Sequence, residues 1–311
     1  VNATEREDWL KKRRTGISGT DVSAIIGINP WASALDVWLD KRGQAEPKPE
    51  TMAMRMGNLL EPVVAQLYAE ETGAHLVEPG FLRHADRDWH IGTPDRLTEE
   101  GILLEIKTAR SDREWGEPGT DQIPRHYLTQ VAWYQSLTGL EVAHVAVLIG
   151  ASDYRRYEIH RDLILEGVLL ERCEAFWRTN VLGGQMPALD GSDSAARYIA
   201  KQHPRNIQPL RTATVEELEL AQRLAAARAA TVAAEREQAE VENLLKAAIG
   251  DAEGIDLGAL GKITWKAAKA REATDWKAVA AEANIPAELI ARHTKIGEAS
   301  RRFLPTMKEA A

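Results

Sequence analysis

The stretch Gly92-Thr93-Pro94-Asp95-Arg96-Leu97-Thr98-Glu99-Glu100-Gly101-Ile102-Leu103-Leu104-Glu105-Ile106-Lys107 decides how this chain is read. Glu99-Glu100-Gly101 has the make-up of a three-residue hairpin loop. Across such a loop, residues whose numbers sum to 200 face each other. Asp95 then stands opposite Glu105, with side chains about 5 Å apart on one face of the ribbon. Alternation adds Lys107 to that face and sends Ile102, Leu104 and Ile106 to the other, into a core. Two directly opposed carboxylates repel unless a cation or a shared proton lies between them. A hard divalent ion answers this most simply, because Mg²⁺ takes oxygen ligands and often only one or two carboxylates. A lysine beside that ion can hold or deprotonate an attacking water. The pattern implies metal-assisted phosphodiester hydrolysis.

The totals agree with such a reading. The chain has 311 residues, 44% hydrophobic and 28% charged, enough for one substantial core and a smaller second unit. No run of 18 apolar residues exists, so no membrane-spanning helix is expected. The charged opening, Val1 to Arg14, is unlike a secretory leader, and a single cysteine, Cys173, suits a reducing compartment; a cytoplasmic location is expected. Cys173 falls in a helical pattern with Leu169, Leu170, Phe176 and Trp177, which reads as a buried thiol. The eight histidines have no zinc-ligand spacing. A net charge of −8 argues against a protein that coats nucleic acid over its whole surface. Basic residues confined to one channel, such as Lys11 to Arg14 with Arg110, Arg113 and Arg125, remain compatible with a DNA substrate.

Two blocks are expected, 1–211 and 212–311. In the first, helices are expected over Glu5 to Arg14, Val22 to Ile26, a segment opened by Ser33-x-x-Asp36, and Met52 to Glu71 with a break at Glu61-Pro62. Gly16 to Asp21 reads as a small-residue turn, and Glu46 to Pro49 as a loop. Strands are expected over His75 to Val77 running into Phe81 to Arg83, Trp89 to Thr98, Ile102 to Ala109, Val142 to Ile149 and Tyr154 to His160. Pro124 to Leu137, Asp162 to Trp177 and Ser192 to Lys201 read as helices. The fold class is α/β, a mixed central sheet flanked by helices, with a mainly helical C-terminal extension. That extension opens on the capping box Thr214-x-x-Glu217 and has neither glycine nor proline from Arg211 to Ile249, which spells one long helix. Its weak, alanine-rich stripe suits a helical hairpin or an oligomer contact better than a long coiled coil. A short strand over Lys262 to Lys266 and two short helices follow.

Five ordered pieces resemble the PD-(D/E)XK nucleases and, more narrowly, the YqaJ-type, lambda-exonuclease-like viral recombinases. They are Arg13 with Gly16-Ile17-Ser18-Gly19-Thr20-Asp21, Gly57 with Glu61-Pro62, Gly92-Thr93-Pro94-Asp95, Glu105-Ile106-Lys107, and Gln130-x-x-x-Tyr134. The resemblance implies a restriction-endonuclease-like core and a 5′→3′ exonuclease that degrades one strand of duplex DNA to leave a 3′ overhang. It implies Mg²⁺, with Mn²⁺ tolerated, and DNA ends as substrate. A single-strand annealing protein would be the partner, and a homo-oligomer, a ring trimer, the assembly. Lys262 to Phe303 resembles a C-terminal segment of some phage members.

By the same resemblance Asp95, Glu105, the Ile106 carbonyl and Glu61 would hold metal, and Lys107 would position or activate water. Gln130 and Tyr134 would orient the catalytic side. Arg13, Thr20 and Thr93 would receive a terminal 5′-phosphate, chemistry that suits an arginine fork with hydroxyl donors; Arg14, adjacent and basic, competes with Arg13 for that role. Among nine tryptophans, Trp38, Trp133 and Trp177 read as core, while Trp31, after Asn29-Pro30, is the candidate for a stacking contact with DNA. The rival readings are a PD-(D/E)XK endonuclease of restriction or repair and a non-catalytic DNA-binding assembly subunit.

Overall fold

The computed structural model describes residues 3–46, 49–267, 273–283 and 285–295. Pro47 and Lys48 of the proline-rich loop, and Arg301 to Phe303, lie outside the described residues. The chain divides into two compact units, Val1–Lys201 and Gln202–Ala311. The seam falls at the end of a helix, and an irregular stretch over 203–213 follows it.

The first unit begins with helices α1 (Ala3–Arg13), α2 (Gly19–Ile25), α3 (Ala34–Lys41) and α4 (Met52–Thr72). Helix α2 starts three residues earlier than expected. Asp21 accepts the Ser18 amide at 2.9 Å, so the supposed turn already contains the helix start. Ser33 and Asp36 cap α3 reciprocally, as their spacing predicts. Helix α4 runs unbroken through Pro62, contrary to the expected interruption at Glu61-Pro62. The remaining intrahelical bonds hold the helix together past the one donor that proline lacks.

Strands β1 (Leu76–Val77), β2 (Leu82–Arg83), β3 (Ile91–Gly92), β4 (Arg96–Thr98) and β5 (Leu103–Ala109) follow. Next come α5 (Arg125–Thr138), β6 (Val142–Ile149), β7 (Asp153–His160), α6 (Leu163–Phe176) and α7 (Asp193–Gln202). The expected strand over Trp89 to Thr98 is two strands in different sheets: β3 pairs with β2, and β4 sits between β1 and β5. Pro94 explains the split, because it has no N–H with which to continue the β4–β5 ladder.

The main sheet has the order β1-β4-β5-β6-β7, with β5 and β6 parallel and the other pairs antiparallel. Helix α5 makes the β5-to-β6 crossover that a parallel pair requires. The sheet is buried on both faces. Leu103, Ala143, Val145, Val147, Tyr157 and Ile159 join one core, together with side chains of α2, α3, α5 and α6. Leu104, Ile106, Ala146 and Leu148 join a second core beneath Val64, Ala65 and Tyr68 of α4. Each fully buried aliphatic chain here contributes roughly 1.5–3 kcal/mol. Trp38, Trp133, Trp177 and Cys173 are all buried, as read from the sequence.

Helix α6 continues into a π-helical segment, Trp177–Leu182, that its sequence does not announce. Its carbonyls find side-chain partners: the Trp38 indole donates to Asn180 O at 2.8 Å and Arg42 donates to Val181 O at 3.4 Å.

In the second unit, α8 (Val215–Ile249) is a 35-residue helix whose Thr214–Glu217 capping box is in place. Strands β8 (Gly254–Asp256) and β9 (Lys262–Thr264) form a hairpin where only β9 was expected, and α9 (Trp276–Glu282) and α10 (Ala287–His293) follow.

Candidate active site

The β4–β5 hairpin has the register its sequence spells. Arg96 pairs with Leu104 and Leu97 with Leu103, and Gly101 closes the loop at φ 84. One step beyond the paired residues, Asp95 comes opposite Glu105. Pro94 has no N–H to offer, and the Ile106 amide turns to the Asp95 side chain instead, donating to Oδ2 at 2.7 Å. The proline thus ends the ladder and anchors the carboxylate in one stroke. Leu104 and Ile106 point into a core as expected, one that α4 covers, but Ile102 is only half buried.

Glu105 is buried, 1% exposed, on the α5 side of the sheet. Its Oε1 pairs with the Lys107 ammonium and accepts the Gln130 amide at 2.6 Å. Its Oε2 is buried with no hydrogen-bond partner. Burial, followed by the neighbouring Asp95 charge, pushes the Glu105 carboxyl up to about 8. Burial pushes Asp95 upward as well. Burial alone would lower the Lys107 amine, but Glu105 and Asp95 outweigh it and hold it above its ordinary value. Lys107 also lies 4.9 Å from the centre of the Tyr127 ring, a cation–π contact that fixes the direction of the amine.

Gln130 ties this group to Tyr134, its amide standing 3.3 Å from the phenol oxygen. Gln130 is thereby bonded to both the strand acid and the phenol. Tyr134 is wedged between two glycines. A Cβ on Gly19 would lie 2.7 Å from Tyr134 Cε1, and a Cβ on Gly92 would lie 2.8 Å from the same atom. Only glycine permits both backbones to approach one ring this closely. Their successors, Thr20 and Thr93, are therefore brought to one neighbourhood, and both are exposed.

Glu61 reaches the site from α4, where Arg96 donates to it at 3.0 Å; its charge acts on both Asp95 and Glu105. Arg13, not Arg14, meets Thr20 and Asp21, at 2.7 and 3.0 Å; Arg14 turns to Asp40 at 3.7 Å. Trp31 is 69% exposed and meets His126 edge to face, with ring centres 5.0 Å apart. Arg110, Arg113 and Arg125 are exposed.

Sequence reasoning passed over three residues here. Tyr127 lies three residues before Gln130 on α5, a spacing that shares a helix face and was legible. Asp21 was seen only as a cap candidate, and Lys41 carried no signal, because a lysine is almost never fully buried.

Among the described residues, no three His, Cys, Asp or Glu side chains gather tightly enough to hold a metal by themselves. The donor set nonetheless fits a divalent ion. Glu105 Oε2 is a buried carboxylate oxygen without a partner, facing a second carboxylate, and hard oxygen donors suit Mg²⁺.

Residues 8–141 match the family model of the YqaJ-like viral recombinase domain. This part of the chain is thus similar to that domain family, and it contains every piece of the site just described. The chain is 37% identical over 205 residues to the uncharacterised YqaJ protein of Bacillus subtilis (strain 168), covering 64% of this chain and 63% of that protein. It is 26% identical over 138 residues to the uncharacterised protein R354 of Acanthamoeba polyphaga mimivirus, covering 40% of this chain and 25% of that one. The chain thus spans less than two thirds of either relative. An alkaline exonuclease from Laribacter hongkongensis superposes loosely, with TM-score 0.48 and 20% identity, over 63% of this chain and all of that one. Among the described residues, no helix is long and apolar enough to cross a membrane.

Proposed function

We propose that this chain is a divalent-metal-dependent nuclease that degrades one strand of duplex DNA from its 5′ end, leaving a 3′ overhang. One observation carries the reading: Asp95 and Glu105 face each other at the mouth of a parted hairpin, with Lys107 beside them and Glu105 Oε2 buried without a partner. Asp95, Glu105, the Ile106 carbonyl and Glu61 would hold Mg²⁺ or Mn²⁺. A bound divalent ion supplies Lewis-acid stabilisation of the charge that builds on the phosphoryl oxygens.

The chain's own residues do the rest. The Ile106 amide holds Asp95 in place. Gln130 fixes the Glu105 rotamer from the helix side. Lys107, aimed by Tyr127, stands where its ammonium can orient a water and steady the negative charge that builds as the water attacks and the phosphodiester P–O bond breaks. Arg13, Thr20 and Thr93 receive the terminal 5′-phosphate, and Trp31 offers an exposed ring to an unpaired base. In this reading the overhang passes to a single-strand annealing protein in phage-type recombination, and the chain acts in the cytoplasm as a homo-oligomer, a ring trimer.

Duplexes labelled at the 5′ or 3′ end of one strand test the proposal directly. Early release of the 5′ label with Mg²⁺ present is expected, with covalently closed plasmid left intact. Nicking of the plasmid would replace the reading with an endonuclease. Duplex binding without degradation would replace it with an assembly subunit.

A further inference from the structure

Lys41 is a lysine with no exposed side-chain surface, and nothing in the metal chemistry uses it. Its ammonium meets Asp21 Oδ2 at 2.6 Å and donates to the Arg13 carbonyl at 2.9 Å, the last carbonyl of α1. Arg13 meets the other oxygen of the same carboxylate, Asp21 Oδ1, at 3.0 Å. Two cations therefore share one anion. The adjacent Arg14–Asp40 pair balances itself, so one positive charge stays in surplus on the triad. Arg13 is the only triad member with substantial exposure, 28% against 0% for Lys41 and 6% for Asp21. The surplus faces outward there, beside the exposed Thr20 hydroxyl.

We propose that Lys41 and Asp21 are positioning residues for Arg13: they fix its guanidinium beside Thr20 and leave the cluster one positive charge in excess, ready for a terminal phosphate on DNA. This rests on the proposed nuclease reading for its ligand, but the cluster itself stands on geometry alone. Burial would push the Asp21 carboxyl up, yet Lys41 and Arg13 outweigh it and hold it well below the usual carboxylate range, so the anion is permanent.

The hydroxyls follow from the same carboxylate. Ser18 Oγ gives its one proton to Asp21 Oδ2 at 2.9 Å. In the 3.2 Å contact between Ser18 and Thr20, the donor must then be Thr20. Thr20 Oγ1 meanwhile accepts from Arg13 at 2.7 Å. Its proton is thus loosely engaged and can turn to an arriving phosphate oxygen while Arg13 keeps the hydroxyl oriented. Without Lys41, Asp21 would neutralise Arg13 one to one and the surplus would vanish.

The test is equilibrium binding of short blunt duplexes bearing either a 5′-phosphate or a 5′-hydroxyl, in EDTA so that no strand is cut. Wild type is expected to prefer the phosphorylated end. Lys41→Met, which fills the same buried space without charge, is expected to lose at least fivefold in affinity for the phosphorylated duplex relative to the hydroxyl duplex. Equal loss on both duplexes, or an unchanged preference, overturns the proposal. Because a buried substitution can impair folding, Asp21→Asn and thermal melting accompany it; Asp21→Asn frees Arg13 and should also erode the preference. Retention of the preference in both folded variants overturns the positioning role. If wild type shows no phosphate preference yet degrades duplex with Mg²⁺, the inference fails and the nuclease reading stands. If it prefers phosphate but never degrades duplex, the reverse holds.

Discussion

Gln130 on α5 and Glu105 on β5 are joined by a 2.6 Å hydrogen bond that crosses from helix to strand with both side chains buried. The same amide touches Tyr134, so one residue fixes the helix, the strand acid and the phenol together. Removing such a supporting contact to a metal-holding carboxylate typically costs about 10–100-fold in affinity or activity. Gln130→Ala is expected to lower nucleotide release by about that factor. Its melting curve should stay close to wild type. Initial-rate assays with calorimetry check both; full activity would show that Glu105 needs no such brace.

Metal binding should be visible without turnover. An ion that binds only the folded state stabilises it by about 2.7 kcal/mol at 100 times its dissociation constant. MgCl₂ is expected to raise the wild-type melting temperature over EDTA, and Asp95→Asn to abolish the shift together with activity. A shift that survives in Asp95→Asn would place the ion elsewhere.

Gly92→Ala tests the packing around Tyr134. The new Cβ would sit 2.8 Å from the ring and from Leu137 Cδ2. Overpacking of this kind costs typically 1–3 kcal/mol, about the size of many single core lesions. Because the ring is coupled to Gln130, activity should fall more steeply than stability. Urea unfolding beside turnover measures the two separately.

His90 sets an acid limit on stability. It is wholly buried, stacked on His84 at 5.4 Å and tilted on Trp133 at 4.1 Å. Its Nε2 must be the protonated nitrogen, since it meets the Trp133 carbonyl at 3.2 Å, and its Nδ1 has no partner. Burial lowers its pKa from 6.5 to about 4. The unfolded chain therefore binds the proton first as pH falls. Stability is full above pH 6.5 and declines as pH falls toward about 4, by on the order of 3 kcal/mol from this residue. Denaturant unfolding across that window should show the slope, and His90→Gln should shrink it. An equal slope in the variant would assign it to other groups.

Much of the central sheet was legible because it is governed by period and loop chemistry. The Glu99–Gly101 loop and the alternation after it settle the pairing of Arg96 with Leu104. Ser33 and Asp36 announce α3 in the same local way. What escaped depends on contacts distant in sequence. Ser18 to Asp21 looks like a turn until Lys41 and Arg13 close on Asp21. Trp89 to Thr98 alternates like one strand, yet Pro94 divides it between two sheets. Pro62 should have broken α4, but packing of Val64, Ala65 and Tyr68 holds the helix through it. The Asp95–Glu105–Lys107 group was readable from spacing, and Gln130 from its place in the motif; that Gln130 bonds Glu105 and Tyr127 backs Lys107 depends on where the crossover of α5 puts them.

Strand β5 offers Leu104 and Ile106 to one layer and Glu105 and Lys107 to the other, so its two jobs are interleaved residue by residue. Adding or deleting a single residue between Thr98 and Leu103 would exchange the two sets, driving the acid and the amine beneath α4 and the aliphatics toward Gln130. Length errors in that short loop would thus surface as lost soluble yield before any kinetic defect could be measured. Folding itself proofreads the spacing of the reactive groups.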